Sequence, residues 1–170
     1  MSHHLDDGAG RGTVTFRFKA GWCDLTLAVG EHDMRTFRAT ALNDAFASLV
    51  AAVADLAAGG HETRLRAVLW GGEPGGVFLD FASVVPDHVA LVVHGMAERN
   101  WIAGVAAPNW MPVRGEVLLT SLQPRRELLG AFLAGFTGVA PLVRPNGHIE
   151  GWGHPYPADT VAAIRAALER

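Results

Sequence analysis

The chain has one cysteine, one lysine, one tyrosine and no uninterrupted apolar run long enough to span a bilayer. With Cys23 alone, no intramolecular disulfide can form, which suits a reducing compartment. The longest weakly charged apolar stretch, Leu128 to Val143, is broken by Thr137 and Pro141 and falls short of the roughly 20 residues a spanning helix needs. Met1 to Asp7 has no apolar core of the kind a signal peptide carries, so the expectation is a soluble, cytoplasmic protein. A formal net charge of −3 and a pI near 6.2 leave no basic stripe for nucleic acid. No Walker loop, dinucleotide fingerprint or nucleophile elbow occurs, and the glycines at 71 to 76 join two strand patterns with no helix following them.

What is abundant is alanine, glycine and arginine, a bias that points to a GC-rich bacterial genome and discounts any single arginine as a functional signal. A chain of 170 residues buries a sizeable core without a metal or disulfides, and one domain over 13–170 behind a disordered tail at 1–12 is the economical division.

Alternation of apolar and polar residues predicts strands over 13–18 and 22–29, joined as a hairpin by a turn at Lys19-Ala20-Gly21, with Cys23 inward as an inert thiol. The segment 31–39 reads as either a strand with Phe37 inward or a loop. Leu42, Phe46, Leu49, Val50, Val53 and Leu56 recur at helical spacing between a Thr40 cap and Gly59-Gly60. Three strands follow within Arg64 to Met96. Placing Leu65, Ala67 and Leu69 on the same face as Val77, Leu79 and Phe81, and as Val89, Leu91 and Val93, sets Leu69 opposite Leu79 and Leu79 opposite Leu91. The connections are then a type II turn at Pro74-Gly75 and a loop over Ser83 to Asp87. Residues 97–114 resist assignment. Beyond them come a strand over Glu116 to Leu122 with Val117 and Leu119 on one side, a helix begun by Pro124 with Leu129, Phe132, Leu133 and Phe136 buried, and a short helix over Asp159 to Arg170. Arg125 and Arg126, at the positive end of their helix, are expected either to meet an external anion or to be solvated. The fold class is α+β: a mainly antiparallel sheet of about five to seven strands with two main helices and a short C-terminal helix packed on it.

That register turns Trp70, Phe78 and Val92 outward as an apolar row, beside Arg66, Asp80 and His88. Monomers seldom leave such a row bare, so these six residues form the candidate binding surface. Asp80 between a guanidinium and an imidazole would orient a catalytic histidine or form an ordinary ion pair; no catalytic residue is assigned. His148, Glu150 and His154 are metal-ligand types in a compact Gly/Pro-rich segment, matching no established spacing.

Three functions are consistent with these patterns. The chain lacks a convergent acid, base and nucleophile, which favours a non-catalytic binding or protein-interaction domain, regulatory or toxin-neutralising, meeting a protein partner or a second copy. A small-molecule binder with a pocket lined by Trp101, Trp110 and Trp152 is the second. A metal-dependent hydrolase at His148, Glu150 and His154 is the third. No cofactor is called for.

Overall fold

The computed structural model describes residues 12–30, 34–59, 65–72, 75–97 and 113–170. The disordered tail expected at 1–12, the Pro74 turn position, Trp101 and Trp110 therefore fall wholly or largely outside the described residues. Seven strands and three α-helices are present among them: β1 (Thr13–Lys19), β2 (Trp22–Ala28), β3 (Arg35–Thr40), α1 (Ala45–Ala58), β4 (Leu65–Gly71), β5 (Gly76–Val85), β6 (His88–Ala97), β7 (Val113–Pro124), α2 (Arg125–Val139) and α3 (Ala158–Leu168). No described helix is long and apolar enough to cross a membrane.

The class is α+β and every ladder is antiparallel, but the strands form two sheets, β1-β2-β3 and β4-β5-β6-β7, in place of one. The sheets meet where the Trp70 indole Nε1–H donates to the carbonyl of Phe37, 3.1 Å away. A side chain makes a junction where a continuous sheet would have a backbone ladder. The ambiguous segment at 31–39 resolves into β3 over its described part, with Phe37 buried.

α2 packs on β1 and reaches β6 and β7, α1 lies on β4, and α3 packs on α1 and α2. α2 comes so near β1 because residue 135 is glycine: a Cβ there would stand 2.6 Å from the carbonyl oxygen of Val14. Phe16, Phe46 and Phe136 meet at the centre, Phe46 edge-on to both others, with ring centroids 5.0 to 5.7 Å apart. One buried cluster draws on both sheets and all three helices.

The register of β4 differs from the one expected. Val68 pairs with Leu79 and Leu69 with Phe78, so Arg66, Val68 and Trp70 face the helices and Leu65, Ala67 and Leu69 face away. Burying a tryptophan removes roughly 200 Å² from water, about 5 kcal/mol, with about 2 more for a valine; two leucines give about 5. The tryptophan set therefore wins by about 2 kcal/mol, and the indole N–H also finds its acceptor. In β5 and β6 the faces are as expected, though Leu79 pairs with Val93. The two strands run on to a two-residue Pro86-Asp87 turn, Asp87 taking a φ of 64°, instead of ending at Ser83.

Helix starts also shift. Asp44, not Thr40, caps α1, its Oδ1 accepting from the Ala47 N–H at 3.1 Å, and Leu42 is left exposed. Arg125 and Arg126 are not merely solvated. They donate to the carbonyls of Leu56 and Leu168, at the C-terminal ends of α1 and α3, satisfying groups the helices themselves leave open. Cys23 is fully buried, as expected.

Two predictions follow from this packing. Trp70→Ala lowers unfolding free energy by about 4 kcal/mol whereas Leu69→Ala lowers it by less than about 1, measured by urea denaturation; equal losses would restore the opposite register. Burial, seconded by Asp24, raises the Cys23 thiol above its ordinary 9.0, and burial raises the Tyr156 phenol above 10.0 against the opposing pull of Arg165. The folded chain keeps these protons after the unfolded chain has lost them, so stability is full below pH 9 and declines as pH rises above it. Cys23→Ala flattens the first part of that decline in a series of urea midpoints.

Candidate functional site on the outer face of the four-stranded sheet

Both sheets turn one side to the helices, and their other sides contrast. The outer side of β1-β2-β3 carries Thr13, Thr15, Arg17, Asp24, Thr26, Ala28, Thr36 and Arg38, and also Trp22, whose ring centre lies 5.7 Å from the Arg38 guanidinium. Arg38 grips Asp24 through Nε at 2.6 Å and Nη2 at 3.1 Å, and its side-chain hydrogen bonding holds the carboxyl below its usual range. Thr26 and Thr36 pair across the ladder at 2.9 Å. This is a solvated face.

The outer side of β4-β5-β6-β7 is apolar by comparison. Cross-strand pairing puts Leu65 and Leu69 of β4, Phe78 and Ala82 of β5, Ala90 and Val92 of β6, and Val117 and Leu122 of β7 on it. Leu65, Val117 and Leu122 are 58%, 51% and 55% exposed, too open to be core and too apolar for an ordinary solvated face.

Polar groups are gathered at its centre. Asp80, buried in the middle of β5, accepts two hydrogen bonds from Arg114, Nε to Oδ2 at 2.6 Å and Nη2 to Oδ1 at 2.7 Å. Arg114 is held above its ordinary pKa by that bonding. Its guanidinium also lies 4.6 Å from the centre of the Phe78 ring, sharing one cation between an ion pair and an aromatic face. His94 Nε2 stands 3.5 Å from Asp80 Oδ2, while its Nδ1 is buried with no hydrogen-bond partner among the described residues.

Of the six residues expected to form the binding surface, Phe78, Asp80 and Val92 lie together on it. Trp70 does not: it is fully buried on the opposite side, with its ring 6.2 Å from that of Phe16. Arg66 goes with it and pairs with Asp55 of α1 at 3.0 Å, so it is not a neighbour of Asp80. His88 sits at the strand end, Nδ1 3.5 Å from the Pro86 carbonyl oxygen. Arg114, the true partner of Asp80, was not legible. Irregular pairing opposite His94 reverses the alternation of β7, which puts both Arg114 and Val117 outward while Leu119 and Ser121 stay in.

The three metal-ligand types are placed apart in function. His148 Nδ1–H donates to the Asn146 carbonyl at 3.2 Å, Glu150 pairs with Arg144 at 3.1 Å, and His154 Nε2–H donates to the Ala41 carbonyl at 2.7 Å. Among the described residues no three His, Cys, Asp or Glu side chains stand close enough to hold an ion. Their segment is anchored through Asp44, whose Oδ1 also accepts from the Trp152 indole at 3.2 Å. No family model, curated protein or solved structure matches the chain.

Removing Arg114 strands a buried carboxylate. Arg114→Ala destabilises the fold by about 2 kcal/mol, less than a fully buried pair because the Arg114 side chain is 38% exposed. Asp80→Ala in the same background recovers part of that loss, and a double-mutant cycle in urea measures the coupling.

Proposed function

We propose that this chain is a non-catalytic protein-interaction domain that docks through the outer face of β4-β5-β6-β7, and that a second copy of the chain is the occupant. The contrast between the two outer faces supports it. The same sequence makes one exposed face mainly of threonine and ion pairs, with Trp22 and Ala28 among them, and the other mainly of leucine, valine and alanine around the Asp80–Arg114 pair, with Thr120 among them. Codon bias cannot produce such a difference, because it acts on both sheets alike.

Charge supports self-association. The Asp80 carboxylate is met within the face by Arg114, so two copies meeting across a two-fold axis bring together apolar residues with no net like-charge repulsion. Sheets pack face to face at about 10 Å separation, which two such surfaces allow. Four strands about 4.8 Å apart and some 24 Å long give a face on the order of 400 Å², about half of what a standard interface buries per partner. The expected affinity is therefore modest, on the order of micromolar.

Sedimentation equilibrium from about 1 to 100 μM tests this. The parent chain dimerises across that range, and Val117→Glu and Leu122→Glu each shift it to monomer without lowering the urea midpoint. A parent chain that stays monomeric overturns the proposal, as does a dimer that both substitutions leave intact.

A further inference from the structure

The segment Arg144 to Pro157 forms a second feature that shares no residue with the sheet face. It is bound in place by backbone hydrogen bonds at both ends: Arg144 N–H to His148 O at 2.9 Å, Ile149 N–H to His154 O at 2.9 Å, and Tyr156 N–H to Gly147 O at 2.9 Å. Gly21 N–H to Gly151 O at 2.7 Å joins it to the β1-β2 turn. Gly151 has a φ of 78°, and a Cβ there would stand 3.1 Å from the Phe18 backbone, so glycine is required twice over. Between this segment and the turn lies a cleft of about 350 Å³, lined by Gly21, Arg144, His148, Ile149, Gly151 and Trp152 among others. That is the low end of the volume in which small ligands are held.

Its polar groups converge on one kind of ligand. Arg144 supplies a guanidinium whose only side-chain partner among the described residues is Glu150, and that pair is 59% and 62% exposed, hence weakly held. His148, which also lines the cleft, donates Nδ1–H to the Asn146 carbonyl, a contact that fixes its ring. The Gly151 N–H makes no backbone hydrogen bond among the described residues. Ile149 and Trp152 line the same cleft, and only an edge of each reaches its surface, their exposures being 1% and 3%. A carboxylate is the group that a guanidinium fork takes in two-point contact, and an apolar body suits Ile149 and Trp152.

We propose that the cleft binds a small organic carboxylate, held by Arg144 with His148 and the Gly151 N–H, in competition with Glu150. The site is independent of the sheet-face reading, and its test does not depend on the oligomeric state.

The probes are acetate, butyrate and benzoate, titrated into the ¹⁵N-labelled full chain at constant ionic strength, with benzamide as the uncharged control. Saturable shifts are expected at the Gly151 amide and the Trp152 indole N–H, strongest for benzoate and absent for benzamide. Arg144→Gln weakens the response about tenfold, the worth of a charge-assisted contact at an open site. Glu150→Gln strengthens it several-fold by removing the competing carboxylate, an effect that loss of structure could not produce. Both side chains are exposed, so both variants fold, as their unshifted core resonances will verify. Absence of a saturable shift from all three carboxylates overturns the proposal, as does an equal response to benzamide or one indifferent to Arg144→Gln.

Discussion

The hydrogen bond from the Trp70 indole to the Phe37 carbonyl is where the two sheets are tied, and it acts together with burial of the indole to set the orientation of β4. With Trp70 inward, Val68 joins the core and Arg66 reaches Asp55 of α1, while Leu65 and Leu69 turn to the outer side. An opposite register would leave a large indole in water and its N–H without the Phe37 acceptor. The apolar outer face is therefore partly a by-product of satisfying the core first. Its composition beyond β4 is not: Val92, Val117 and Leu122 belong to strands whose inward sets are complete without them.

Asp80 and Asp44 show how position gives two aspartates different roles. Asp80 is buried on a strand, so it needs a full partner, and Arg114 meets both of its oxygens. Asp44 is half-buried at the start of α1, where the open N–H groups of the first turn favour an acceptor. Having capped the helix, the same carboxylate takes the Trp152 indole N–H and lies 3.9 Å from His154 Nδ1. The Gly/Pro-rich segment is thus held to α1 by a helix cap.

Much of the fold was legible. The β1-β2 hairpin, the helix containing Phe46 and Leu49, the alternation of β5 and β6 and the stripe of α2 all follow from periodicity, because one side of each element is buried and the burial writes itself into the spacing. The candidate site was legible in part. Phe78, Asp80 and Val92 share an outward parity that a regular ladder preserves, whereas Arg114 lies beyond a pairing irregularity that reverses parity.

By itself the sequence determined the class, most of the elements and most inward-facing residues, and it showed a single cysteine, no Walker or dinucleotide loop and no apolar run of bilayer-spanning length. Only the tertiary structure decided that the strands divide into two sheets, that Trp70 belongs to the core, that Arg114 is the partner of Asp80, and that His148, Glu150 and His154 serve separate contacts. The reason is one of range. Periodicity records whether a residue is buried, a property of its own position, while register and pairing depend on which distant group fills the space opposite. At Trp70 that group is a carbonyl 33 residues away, and at Asp80 it is a guanidinium 34 residues away.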